Sequence, residues 1–244
     1  MDCGFYLYGI FPTPGPCNLN LKGLDQQPVY SRTLDGFIFL YSQATQEKYL
    51  ASRRHLLSHE KVLEEAMSEG FRTLLPLRFG MVVKSWEAVT EQLTLPYQTQ
   101  LKELFAKLTG LQEVSVKVFW ESTLELQALM ESNPDLKEKR DSLEGKALSM
   151  DQIIQIGQMI EAALEHRKER VIQAFRDELN SLGVEVVESA MLREGMIYNA
   201  AFLIPWESEP KFGETVEKID QKFGDRLRIR YNNFTAPYTF AQLT

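Results

Sequence analysis

Residues 149–183 constrain the fold more than any other stretch of this chain. Ile153, Ile156, Ile160, Ala163, Leu164, Val171, Phe175 and Leu179 recur there at helical spacing, with charged residues between them. Ser149 and Gln152 stand in the S-x-x-Q relation of a capping box, which sets the start, and Gly183 is the expected C-cap. The helix so defined has about 34 residues and is about 50 Å long at about 1.5 Å per residue. One small sheet cannot cover that length. Part of the stripe must therefore pack on helices expected over residues 124–143, or on a partner.

The rest of the chain supplies sheets. Residues 4–10 (GFYLYGI), 28–33 (PVYSRT) and 36–41 (GFIFLY) read as strands, with a proline-rich loop after the first and a tight LDG turn between the other two. Residues 46–68 change to helical period through Tyr49, Leu56, Val62, Leu63 and Met67, and stop at Gly70. A fourth strand at 73–77 continues past a kink at Gly80, and helices follow at 85–90 and 97–108. This order predicts an α+β domain over residues 1–110, with an antiparallel sheet and helices on one face. In strand 113–120, Val114, Val116 and Val118 alternate with Ser115, Lys117 and Phe119. Strands at 184–189, 196–205 and 226–231 and a helix at 212–223 then complete a strand–helix–strand–strand–helix–strand order. That is a ferredoxin-like unit over residues 111–231, with a helical insertion at about 121–183. Residues 232–244 form an extended tail.

Composition narrows the function. A net charge of -7 without a basic stripe argues against nucleic acid. No apolar run reaches the roughly 18 residues of a membrane span. The start MDCGFYLYGIF lacks a basic n-region, so no signal peptide is expected and the chain is read as intracellular. Cys3 and Cys17 are too few for a disulfide framework or a zinc site. No phosphate-binding glycine loop or nucleophile elbow occurs.

His55 and His59, at i and i+4 beside Glu60, have the spacing of a metal pair but not the H-E-x-x-H order, and no third ligand. They read as solvated helix-face histidines, and no metal is expected. His166 sits in a charge run. The carboxylate pairs Glu64–Glu65 and Glu188–Glu194 lack the apolar neighbours that would raise a pKa. In RLRIRY, period two puts Arg226, Arg228 and Arg230 on one face, either solvated or facing an acidic partner. LLPLRFGMVV places Arg78 inside an apolar run. Pro76 fits an edge or a bulge there, and Gly80 permits a bend. The guanidinium is expected to satisfy carbonyls or a carboxylate, a structural role.

Several separated segments resemble the gas vesicle protein GvpF/GvpL family, in a GvpF-like form. They are YLYGI at 6–10, HEKVLEEAMSEGFRTLLPLRFGMVV at 59–83, LQEVSVKVFW at 111–120, NAAFLIP at 199–205 and APYTF at 236–240. The second carries the motif Pro76, Leu77, Arg78, Phe79, Gly80. The tail departs from the family's G-P-W-P-P-Y-x-F, keeping Pro237, Tyr238 and Phe240. The resemblance implies a non-enzymatic accessory or minor structural protein of gas vesicles, without cofactor, metal or catalytic residues. It implies contact with the main hydrophobic shell protein and other accessory proteins of the vesicle, and with neither nucleic acid nor a lipid membrane. It also implies two α+β domains, each with an antiparallel sheet of modified ferredoxin-like topology, the second with a coiled-coil-like helical part. A shell subunit that ends facing gas presents apolar surface, so Phe234, Tyr238 and Phe240 or the long-helix stripe are candidate contacts. The alternative is a small-molecule or haem-binding enzyme on a ferredoxin-like scaffold.

Overall fold

The computed structural model describes residues 4–17, 19–141 and 149–243, so Cys3 lies outside the described residues. The chain forms two compact units. The first comprises Met1–Val114, Leu203–Trp206 and Asn233–Thr244, the second Ser115–Phe202 and Glu207–Asn232.

The first unit opens with β1 (Phe5–Pro12), β2 (Tyr30–Leu34) and β3 (Phe37–Gln43). Then come α1 (Arg53–Ser68), β4 (Leu75–Pro76), β5 (Val82–Val83), α2 (Trp86–Val89) and α3 (Gln98–Leu108). The strand order is β2-β3-β1-β4, with β5 also on β1. β1 is aromatic and aliphatic and almost wholly buried, as suits a strand with neighbours on both sides. Its register with β3 slips between Leu7 and Gly9, a bulge at Tyr8. At Gly9 an added Cβ would lie 2.8 Å from a Leu63 methyl, so α1 packs against bare backbone there.

The buried face of α1 is His59, Val62, Leu63, Ala66 and Met67, the i, i+3, i+4, i+7 pattern of an amphipathic helix. The helix begins at Arg53, seven residues later than its periodicity predicts. Ser52 caps it by accepting from the His55 N–H at 3.2 Å. Tyr49 fits the helical phase but belongs to the preceding loop, where its hydroxyl accepts from Thr45 N–H at 3.0 Å and its ring joins the core. At the other end Phe71 N–H bonds Ala66 C=O and Gly70 N–H bonds Met67 C=O, at 3.1 and 3.0 Å. This is the Schellman closure, and it needs the left-handed φ of +100° that Gly70 adopts.

The remaining elements are β6 (Leu111–Trp120), α4 (Ser122–Ser132), α5 (Pro134–Asp141), α6 (Met150–Leu179), β7 (Glu185–Glu188), β8 (Met196–Pro205), α7 (Glu209–Phe223) and β9 (Leu227–Thr235). Their sheet runs β7-β8-β6-β9. Both sheets thus share one order: second strand, third, first, fourth. The capping box of α6 is formed by both of its hydrogen bonds. The helix nevertheless stops at Leu179 and tightens into a 3-10 turn, Asn180–Leu182, before Gly183, whose φ of -91° is not left-handed. It is therefore about 45 Å long rather than about 50 Å.

Burial of the α6 stripe is graded. Val171, Phe175 and Leu179 are core, and Ile160, Ala163 and Leu164 pack on Leu129, Met130 and Leu136 of α4 and α5. Ile153 is exposed. No described helix is long and apolar enough to cross a membrane.

Candidate functional site

The P-L-R-F-G motif forms a turn on the edge of the first sheet. Before it, Leu75 and Pro76 pair with Ile10 and Gly9, and Leu77 N–H donates to Tyr8 C=O at 2.9 Å. After it, Leu7 N–H donates to Met81 C=O at 3.0 Å, and Val82 and Val83 pair with Tyr6 and Phe5. Arg78, Phe79 and Gly80 therefore leave the ladder between two anchored ends. Pro76 lacks an N–H, which an edge strand tolerates. Gly80 holds φ at +89° with open space where a Cβ would stand. Gly80→Ala is thus strained by backbone alone. It should lower stability by about 1–2 kcal/mol, read as a lower urea midpoint; an unchanged midpoint would show that the turn relaxes freely.

Two buried tyrosines of β1 hold this side of the sheet. Gly80 N–H donates to the Tyr6 oxygen at 3.0 Å, so the Tyr6 proton is free to go to His59 Nδ1, 2.9 Å away. Nδ1 then acts as acceptor, and the neutral ring carries its proton on Nε2. Tyr49 and Tyr8 lie 5.0 Å from the Tyr6 ring, and Phe79 stacks edge-on against both Tyr6 and His59. Burial pushes the His59 pKa down to about 4, against an opposing pull from the Leu77 carbonyl, and pushes the Tyr6 phenol up. Tyr8 runs a second relay, from Leu24 N–H through its hydroxyl to Ser42 Oγ and on to the Pro28 carbonyl.

The expectation of two solvated histidines thus fails for His59, which is 2% exposed. His55 points elsewhere, with Nδ1 3.0 Å from Leu50 C=O and Nε2 3.7 Å from the Asp25 carboxylate. Among the described residues no three His, Cys, Asp or Glu side chains cluster as metal ligands.

Arg78 also departs from expectation. Its side chain is exposed and, among the described residues, has no hydrogen bond, ion pair or ring contact. It satisfies neither a carbonyl nor a carboxylate. It stands at a cleft of about 320 Å³ whose lining includes Ile10, Leu75, Leu77, Met81, Leu93 and Tyr238, and among the described residues it is the one charged residue there.

The tail forms one wall. Ala236, Phe240 and Ala241 are buried, and Phe234 and Tyr238 pack half-buried on the first core. Phe240, expected as a partner contact, is 4% exposed and is core instead. The tail is held by Glu113, whose carboxylate accepts from Thr239 N–H at 2.8 Å and Thr239 Oγ1–H at 2.7 Å. Burial raises the Glu113 pKa and the Thr239 donors pull it back. Glu113→Ala removes both bonds. Amide exchange at Thr239 is expected to speed up at least tenfold while β1 stays protected; equal protection would show that the apolar contacts alone hold the tail.

In the second unit Arg226 lies before β9, in the turn Gly224–Arg226, and not on the strand face with its neighbours. It donates to Glu125 at 2.7 and 2.9 Å, and Arg167 donates to the same carboxylate at 3.2 Å. Glu125 is fully buried. Arg228 and Arg230 lie over the Phe119 ring, 4.8 and 5.1 Å from its centre. Glu188 is paired with Arg176 at 2.8 Å, which holds its pKa below the usual carboxylate range.

Residues 4–242 match the sequence pattern of a family described as gas vesicle synthesis protein GvpL/GvpF. Gas vesicle protein F of Nostoc sp. is 66% identical over 244 residues, covering 100% of both chains. Gas vesicle protein L1 of Halobacterium salinarum is 22% identical, over 98% of this chain and 90% of its own. The crystal structure of GvpF from Anabaena sp. has a TM-score of 0.89 at 66% identity, covering 99% of each chain. That of GvpF from Microcystis aeruginosa has a TM-score of 0.84 at 64% identity, over 99% of this chain and 100% of its own. With agreement running from β1 through the P-L-R-F-G turn to the tail, the chain belongs to the gas vesicle synthesis protein GvpL/GvpF family.

Proposed function

We propose that this chain is an accessory or minor structural protein that takes part in gas vesicle assembly by binding the main hydrophobic shell protein, with other accessory proteins of the vesicle as further partners. The observation that carries this reading is the likeness to gas vesicle protein F along the entire chain. Physics supports it. A shell subunit must expose apolar surface before it is built into the shell, and an open apolar cleft beside a firmly held tail gives such a surface somewhere to rest. Tyr238, on the rim of that cleft, is the tail aromatic we assign to contact.

We read both sheets as modified ferredoxin-like units, a reading that their common strand order supports. The first has a loop in place of the first crossover helix. The second is extended by α4, α5 and α6 into a coiled-coil-like part. We keep residues 1–110, 111–231 and 232–244 as the two functional domains and the tail.

Co-expression of the tagged full-length chain with the main shell protein is the test. The shell protein is expected to co-purify with it and not with a tagged unrelated protein of similar charge. Equal recovery in both would remove the assembly reading.

A further inference from the structure

The motif arginine is anchored on both sides and, among the described residues, engaged by nothing. Leu77 N–H is fixed to Tyr8 and Gly80 N–H to Tyr6, and Phe79 is packed between Tyr6 and His59. Among the described residues, the Arg78 side chain between these anchors makes no bond of its own. A rigid turn that holds a side chain without using it places that side chain for something outside the molecule. The cleft beside it is lined mainly by apolar side chains, with Gln242 the other polar one, and among the described residues no carboxylate lines it to neutralise the guanidinium. Glu60 and Glu64 of α1 are felt electrostatically at Tyr238, yet neither lines the cleft nor pairs with Arg78.

We propose that the Arg78 cleft is the seat for an acid-bearing amphipathic helix of the shell protein. Its apolar side chains would fill the space between Leu77, Leu93 and Tyr238, and a flanking Asp or Glu would pair with Arg78. This rests on the shell-binding reading above.

Charge complementarity selects the carboxylate. A planar guanidinium takes a carboxylate through two parallel N–H donors, and the apolar surroundings strengthen the pair. The broken edge selects the helix over an added strand. β4 and β5 are two residues each, Pro76 has no N–H, and the turn from Arg78 to Gly80 interrupts the ladder between them. Such an edge offers no continuous row of donors for strand addition, so recognition falls to side chains in a groove. A cleft of about 320 Å³ admits a few apolar side chains from one helix face, at the small end of the usual ligand-pocket range.

The experiment compares wild type, Arg78→Lys and Arg78→Glu, all full length, in retention of co-expressed main shell protein and in thermal melting. Arg78→Glu is expected to retain at least tenfold less shell protein with an unchanged melting midpoint. Arg78→Lys, which keeps the charge but not the fork, should fall between the two. Equal retention by Arg78→Glu and wild type overturns the cleft while leaving shell binding intact. No retention by wild type overturns the shell-binding reading and this inference with it. A lowered midpoint in Arg78→Glu would return the arginine to a structural role and overturn the proposal. Dodecanoate serves as the second probe: if wild type binds it in an Arg78-dependent way but retains no shell protein, the cleft takes a lipid-like carboxylate and not a helix.

Discussion

Replacing Arg167 and Arg226 together by methionine is expected to destabilise the protein by about 3–5 kcal/mol, more than Glu125→Ala does. The asymmetry comes from who is stranded. The Glu125 side chain is 0% exposed, whereas those of Arg167 and Arg226 are 12% and 37% exposed. Without the carboxylate, both guanidinium heads can turn toward water along their apolar stems. Without the arginines, the carboxylate remains in the interior with no countercharge. Substituting all three residues, with Glu125→Leu added to the two methionines, should recover most of the loss, because an apolar cluster of similar volume has no desolvation to offset. Urea denaturation at pH 7 measures each of these. If Glu125→Ala cost as much as the double arginine variant, the burial argument would be wrong.

Acidification is expected to cost the wild-type protein about 3 kcal/mol between pH 6.5 and pH 4, through His59 alone. The folded state holds this ring neutral down to about 4, while an exposed histidine takes up its proton near 6.5. In that window the unfolded chain binds more protons than the folded one, so stability is complete above about 6.5 and declines as pH falls. The loss falls beside the motif turn, because a proton on Nδ1 leaves the buried Tyr6 hydroxyl without its acceptor, next to the bond that the Tyr6 oxygen takes from Gly80 N–H. Glu113 acts with the opposite sign, since a raised carboxylate pKa favours the folded state on acidification. His59→Leu separates the two: it starts less stable at pH 7 but should lack the decline. A wild-type stability that stayed flat from pH 7 to 4.5 would exclude a neutral, buried His59.

Which features were legible follows from how far apart the interacting residues are. The capping box of α6, the strand alternation of β6 and the Gly70 stop are written within a few neighbouring residues, and sequence reading recovers them. His59 and Glu125 announced themselves only by phase. His59 shares a helical face with Val62, Leu63 and Ala66, and Glu125 stands one turn before Leu129. A polar residue at a core phase implies a buried partner, but the partners are remote: Tyr6 lies 53 residues from His59, and Arg167 and Arg226 lie 42 and 101 residues from Glu125. No local window contains both members. Tyr49 misled for the converse reason, since its apolar ring is wanted by the core from a loop as much as from a helix. Arg78 was misread because a charge in an apolar run looks like one that must be satisfied. The edge turn takes it out of the run altogether.

The grip of Glu113 on Thr239, with Ala236 and Phe240 sunk in the interior, sets an order of events during synthesis. The first unit draws on residues up to Val114 and again from Asn233 onward, so its strands are synthesised well before the tail that completes it. At cellular translation speeds the early part waits on the order of 10 s for the residues that complete it. During that time the hydrophobic places later taken by Ala236 and Phe240 are open to solvent and to any chaperone or neighbouring nascent chain. Without Ala236 and Phe240 those places would stay open, so this short segment decides the fate of a core whose strands are made long before it.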